Sequence, residues 1–274
     1  MYLVMKNCLL LLPAFAVLGL AATAQEPAVA VVRVPNAGLQ PQVAIEPGGV
    51  LDILYFSGNP KGGNLFFVRS KDHGKTFSRP MQVNSQDESV TAMGTIRGGQ
   101  LAAGKRGRVH VAWNGSGSAL PAGPVNPEAA AKPGMHSMHG MPMLYTRLND
   151  QGTAFEPQRN LMQQTFGLDG GGTVAADRSG NVFVAWHGKR KGAAHGEAGR
   201  QVWVAASHDD GKTFATEAPA WKEPTGACGC CGMSIFAAND GTVFALYRSA
   251  TDNVHRDIYL LASKDHGKIG RAHV

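Results

Sequence analysis

Short apolar runs of four to six residues recur along this chain, with polar, glycine-rich turns between them. They come in sets. Leu51-Asp52-Ile53-Leu54-Tyr55 precedes Leu65-Phe66-Phe67-Val68, and Val109-His110-Val111-Ala112-Trp113 precedes Met143-Leu144-Tyr145. Asn181-Val182-Phe183-Val184-Ala185-Trp186 precedes Val202-Trp203-Val204-Ala205, and Thr242-Val243-Phe244-Ala245-Leu246-Tyr247 precedes Ile258-Tyr259-Leu260-Leu261. A shorter run stands before each pair, at 42–45, 94–96, 173–176 and 234–237. Runs this short, rich in β-branched and aromatic residues and bounded by turn formers, predict strands.

A second pattern punctuates the first. Ser70-Lys71-Asp72-His73-Gly74-Lys75-Thr76-Phe77 recurs as Ser207-His208-Asp209-Asp210-Gly211-Lys212-Thr213-Phe214. It returns in part from Ser263 through Asp265 and Gly267, and in a weaker copy from Leu148 through Asp150 and Gly152 to Phe155. Each copy follows the third run of its set. The repeating unit is strand, turn, strand, loop, strand, motif turn, strand, which is one four-stranded propeller blade present four times. In the motif, Asp accepts backbone N–H groups, Gly supplies positive φ and Phe anchors the hairpin, so its role is structural.

Ser-x-Asp-x-Gly-x-Thr-Phe on such a unit resembles the Asp-box (BNR) repeats of sialidases, over about residues 40–268. The resemblance implies an all-β, sialidase-like propeller with four of the usual six blades present. It also implies loss of the C-terminal blades, and 25–268 as a partial propeller. The last six residues, 269–274, resemble one reading frame of a widely used sequencing adapter and are set apart from the fold.

The resemblance does not extend to the sialidase clamp. Pro41 is the residue that leads into the first inner strand, and Leu39 stands where the family places an arginine. The segment 57–64, where a catalytic acid is due, contains none. A clamp for a carboxylate needs arginine forks, so glycoside hydrolysis of the sialidase type ranks below a binding role.

Composition agrees with an all-β chain: 274 residues carry 35 Gly, 15 Pro and only 17% charged residues. The net charge of +6 is spread along the chain without a dense basic run, which argues against a nucleic-acid partner. Residues 1–24 read as an export signal: Lys6, an apolar stretch from Cys8 to Leu20, then Ala22-Thr23-Ala24. The mature chain is expected from Gln25 with no transmembrane segment, in the periplasm or secreted.

In a propeller the strand 2–3 loops and the entries to the inner strands share the face opposite the motif turns. The chemically unusual residues fall there. Cys228, Cys230 and Cys231 are the only cysteines of the mature chain and precede the fourth inner strand. His136 and His139 lie in a Met-rich insert of blade two. His187 and His195 are assigned to the 2–3 loop of blade three, and Arg248, His255 and Arg256 to that of blade four, with Asp252 as a partner for the arginines or an anion as their ligand. Three thiols within four residues predict a soft-metal site, copper as Cu(I) with Zn(II) also acceptable, and with His136 and His139 as further ligands. A metal-free redox thiol site is the competing chemistry. Three functions follow: a binding propeller with that site, a protein-interaction scaffold, and a sialidase-type hydrolase.

Overall fold

The computed structural model describes residues 29, 31–94, 96–127, 139–265, 267 and 271–273, the last three as backbone. The chain divides into two units, Met1–Val31 and Val32–Val274. Of the first, only Val29 and Val31 are described, and both are exposed; the expected export signal lies outside the described residues.

The second unit is built from four antiparallel sheets of four strands in simple up-and-down order. Blade one holds β1 (Leu39–Ile45), β2 (Leu51–Asn59), β3 (Gly62–Ser70) and β4 (Met81–Gln82). Blade two holds β5 (Gly99–Ala103), β6 (Val109–Asn114), β7 (Met143–Arg147) and β8 (Arg159–Asn160). Blade three holds β9 (Phe166–Ala176), β10 (Val182–Lys189), β11 (Gln201–Ser207) and β12 (Ala218–Pro219). Blade four holds β13 (Ser234–Ala237), β14 (Val243–Arg248), β15 (Ile258–Ser263) and β16 (Arg271–His273). The inner strands pack side by side, β1 on β5, β5 on β9 and β9 on β13. The tail set apart in the sequence contributes β16, which pairs along β15.

The cores lie between blades. Strand residues alternate in direction, so each central strand feeds two cores. Val109, Val111 and Trp113 of β6 pack with Leu54, Phe56 and Phe67 of blade one. Ala112 points the other way and joins Val182, Val184 and Trp186 of blade three. Phe183 and Ala185 of β10 in turn meet Ile235, Val243 and Leu261 of blade four. This double duty is why β6 and β10 are buried along their whole length, His110 and His187 included. On β1 burial alternates instead, leaving Leu39, Val43 and Ile45 exposed. Blade four likewise exposes Phe236, Leu246, Ile258 and Leu260.

One inner strand differs from the expectation. The second begins at Gly99, not at Gly94. Gly94 and Gly98 both take positive φ (78° and 114°) and break the extended backbone between them. The Gln40 side chain holds that lead-in through the carbonyls of Ala92 and Gly94.

The Asp-box turns repeat their bonds closely. Ser70 Oγ donates to Asp72 Oδ1 (2.8 Å) and accepts from the Gly74 N–H, while the Thr76 N–H and hydroxyl donate to Asp72 (2.9 and 2.6 Å). Ser207, Asp209, Gly211 and Thr213 reproduce the set at 2.7, 2.9, 2.9 and 2.6 Å. In blade four, Ser263 bonds Asp265 and accepts from the Gly267 N–H. Blade two departs from its assignment. There Asn149, not Asp150, receives the Thr153 N–H (2.9 Å). With Leu148 in place of Ser the turn slips by one residue, and Asp150 instead meets Arg108 at 2.5 Å. Phe77 packs in its own blade against the cluster of Ile53, Tyr55 and Val68. Phe155 and Phe214 pack edge-on against Phe67 and Tyr145 of the preceding blade, so in those blades the motif Phe joins blades to one another.

Candidate functional site

On the opposite face the chain enters β13 through Ala227-Cys228-Gly229-Cys230-Cys231. Backbone bonds fix this loop from three sides. Ala227 N–H donates to the Glu197 carbonyl (3.1 Å), Cys228 N–H to the Arg248 carbonyl (2.9 Å) and Cys231 N–H to the Cys228 carbonyl (3.3 Å). The Gly229 N–H donates to the Glu197 carboxylate at 2.9 Å. A Cβ there would stand 2.7 Å from Asp169 Oδ2 and 2.8 Å from Arg200 Nη1, so any larger residue would have to push the Asp169–Arg200 pair aside.

The turn gathers all three thiols. Sγ of Cys228 lies 3.1 Å from that of Cys230 and 3.3 Å from that of Cys231, and the remaining pair is 3.9 Å apart. All three are free; Cys228 is buried, Cys231 half-buried and Cys230 exposed. A cation bonded to three sulfurs at about 2.3 Å needs them roughly 3.8–4.0 Å apart. One edge of the triangle already has that length, and the other two, at 3.1 and 3.3 Å, need to open by roughly 0.5–0.9 Å.

Arg248, at the end of β14, points Nη1 at Cys231 Sγ (3.4 Å). This contact, with the hydrogen bond to Cys228, lowers the Cys231 pKa below the ordinary thiol value. Burial, reinforced by the neighbouring sulfurs, pushes Cys228 up to about 11. The cluster therefore pairs a thiol disposed to ionise with one that stays protonated at neutral pH.

Behind the thiols runs a chain of ion pairs across three blades. Arg97 Nη2 meets Asp169 Oδ1 at 2.6 Å, and Asp169 Oδ2 meets Arg200 at 2.9 Å. Arg200 also contacts Glu197 (3.3 Å), which pairs with Arg256 at 2.5 Å. The expected partnership of Arg248 and Arg256 with Asp252 is not made; Glu197 and Cys231 take those roles. Asp252 instead sits exposed in a turn with φ 54°. His187, assigned to a solvated loop, is fully buried within β10. Burial, with the charge of Arg200 beside it, depresses its pKa to about 4, so the ring is neutral. The strand extends past the expected end because Phe166–Ala176 pairs with it as far as Lys189.

The other assigned residues are not drawn into the cluster. His195 and His255 are exposed on loops of blades three and four. His139 Nδ1 sits 3.0 Å from the Gly123 carbonyl. Among the described residues, the group close enough to share an ion consists of the three thiols alone. His136 lies outside the described residues. Arg97, Asp169 and Glu197 were not singled out in the sequence, because the network forms only when three blades meet. The one local sign was an acid in the glycine-rich stretch 167–172.

The opposite face carries a basin of about 710 Å³. On its floor Arg108 pairs with Asp150 and Asp210, and beneath it His110 shares a 2.7 Å hydrogen bond with the Tyr145 hydroxyl.

Four antiparallel four-stranded sheets with adjoining inner strands define a sialidase-like β-propeller. No known family model matches the chain, and no curated protein matches it in sequence. Solved structures do match. The α-L-arabinanase of Penicillium chrysogenum complexed with arabinobiose superposes with TM-score 0.53 at 16% identity, over 88% of this chain and 68% of that one. A protein of unknown function from Dyadobacter fermentans gives 0.51 at 17%, over 85% and 63%. The Trypanosoma rangeli sialidase with 2,3-difluorosialic acid gives 0.52 at 14%, over 88% and 38%. The chain thus spans about two thirds of the first two and less of the third. The likeness is one of fold, shared with propeller glycoside hydrolases.

Proposed function

We propose that this protein is an exported, non-catalytic binding propeller whose ligand site is the trithiol cluster, and that the ligand is a soft metal ion, copper as Cu(I). The observation that carries the reading is the convergence of three Sγ atoms within 4.8 Å at the entry to β13. An all-sulfur set of three thiols suits Cu(I).

The arginines of the same face weigh against a hydrolase. Arg97, Arg200 and Arg256 each already face a carboxylate of this chain. They are not free to form a fork for a substrate acid. The sialidase and arabinanase neighbours support the scaffold and lend no substrate to it.

The test is a titration of the reduced, anaerobic protein with Cu(I) against a competing chelator. One ion per chain is expected, bound at least about 1,000-fold more tightly than by a variant with all three cysteines changed to Ser, the loss expected when soft ligands are replaced by hard ones. Equal affinity in the two proteins rejects the site.

A further inference from the structure

Arg248 differs from the other arginines of this face. Arg97, Arg200 and Arg256 have carboxylate partners, whereas Arg248 is directed at a sulfur. Taken together, the shell around the thiols holds four guanidiniums and two carboxylates, Asp169 and Glu197. Four positive charges against two negative leave that shell with a net surplus of two, and Arg248 is its member with no acidic partner among the described residues. His187 beneath the loop adds none, since it is neutral.

That surplus has a chemical counterpart. Three thiolates around a monovalent cation carry two net negative charges. Around a divalent cation they carry one, and around a trivalent cation none. A partly buried complex is most stable where the protein supplies the opposing charge, because water cannot do so there. Cys228 is buried and Gly229 is sealed against the network, so a substantial part of the complex faces protein. Cys231 and Arg248 also line a cavity of about 300 Å³ whose other walls include Met233, Leu246 and Ile258.

We propose that the guanidinium of Arg248, backed by the ion-pair network, is the counter-charge that makes the trithiolate site select a monovalent soft cation over a divalent one. Arg248 is on this view a specificity-determining residue and not a ligand. The inference rests on the thiol cluster being a metal site, and its test separates the two.

The experiment measures Cu(I) and Cd(II) affinities of the full chain and of Arg248→Gln and Arg248→Lys variants, under anaerobic conditions against competing chelators. Cd(II) serves as a thiophilic divalent probe. Arg248→Gln removes one positive charge beside a complex bearing two negative charges with Cu(I) and one with Cd(II). The logarithm of its affinity loss should be about twice as large for Cu(I), for example about 100-fold against about 10-fold. Arg248→Lys keeps the charge without the planar fork and should recover most of the Cu(I) affinity. Equal losses for the two ions, or a Lys variant as weak as the Gln variant, would mean that Arg248 merely holds the loop, and the selectivity claim fails. If the unaltered chain binds neither ion better than its triple-Ser variant, the metal reading itself fails, and this inference with it.

Discussion

The two faces of the propeller spend their polar residues differently. On the Asp-box face the carboxylates of the repeated turns are met by groups of the fold itself: Asp72 by Ser70 and Thr76, Asp209 by Ser207 and Thr213, Asp150 and Asp210 by Arg108. On the loop face three thiols meet each other, and one guanidinium, that of Arg248, has sulfur as its side-chain partner among the described residues. The first arrangement is complete as it stands and holds the fold. The second leaves three thiols with one another as partners, which is why a bound cation is proposed there. Repetition marks the structural face, since the same bonds recur blade after blade; the thiol cluster occurs in one blade only.

That contrast can be broken by removing a carboxylate from the structural face. Asp210 has the largest expected effect. Its side chain meets Arg108 at 2.5 Å and approaches His110 and Arg147 at 3.6 and 3.8 Å. It also occupies φ 64°, which Asp tolerates better than Ala. Asp210→Ala should lower stability by about 2–4 kcal/mol, because a partly buried ion network loses its centre, and Asp210→Asn by less. Urea midpoints read the loss. Cu(I) affinity of the folded fraction should stay within about twofold, since distant sites without shared partners are nearly additive. Metal binding that falls with stability would contradict the separation of the faces.

Asp209→Ala should cost less, about 1 kcal/mol. The residue is exposed, so the freed Thr213 N–H can turn to water. Acid unfolding sharpens the same point. The donors around Asp72 hold its carboxyl at about 2, below the ordinary 3.8. For Asp209, partial burial opposes ionisation, but the bonds from Thr213 and Ser207 prevail and also give about 2. These folded-state values lie below the unfolded ones. Their contribution is therefore present above about pH 4 and lost as pH falls toward 2. His187 acts in a higher window. Burial sets its folded pKa at about 4 against an ordinary 6.5, so stability begins to fall below about pH 6.5 and the loss levels off near 4. Replacing His187 by Gln should remove part of the loss between 6.5 and 4 and leave the lower step in place. A single acid step that is unchanged in that variant would contradict the assignment.

Much of the blade architecture was legible because strand alternation and the Asp-box turns are local signals, each encoded within a dozen residues. The three cysteines were legible for the same reason, being adjacent in sequence. What escaped were features made by contact between blades. β10 runs on through His187 to Lys189 because β9 continues beside it. Glu197 lies in a Gly- and Lys-rich stretch that looks solvated, yet it closes the network to Arg200 and Arg256. Blade two misled in two places. Leu148 in place of Ser moved the turn onto Asn149, and the glycines at 94 and 98 delayed the inner strand to Gly99.

The central claim, that one face folds the protein and the other holds a soft ion on sulfur alone, is tested most directly by X-ray absorption at the copper edge of the Cu(I)-loaded chain. The expected first shell is three sulfur atoms at about 2.3 Å, the usual metal–thiolate distance, with no nitrogen or oxygen neighbour. A shell dominated by nitrogen or oxygen, or one unchanged in the triple-Ser variant, would contradict it.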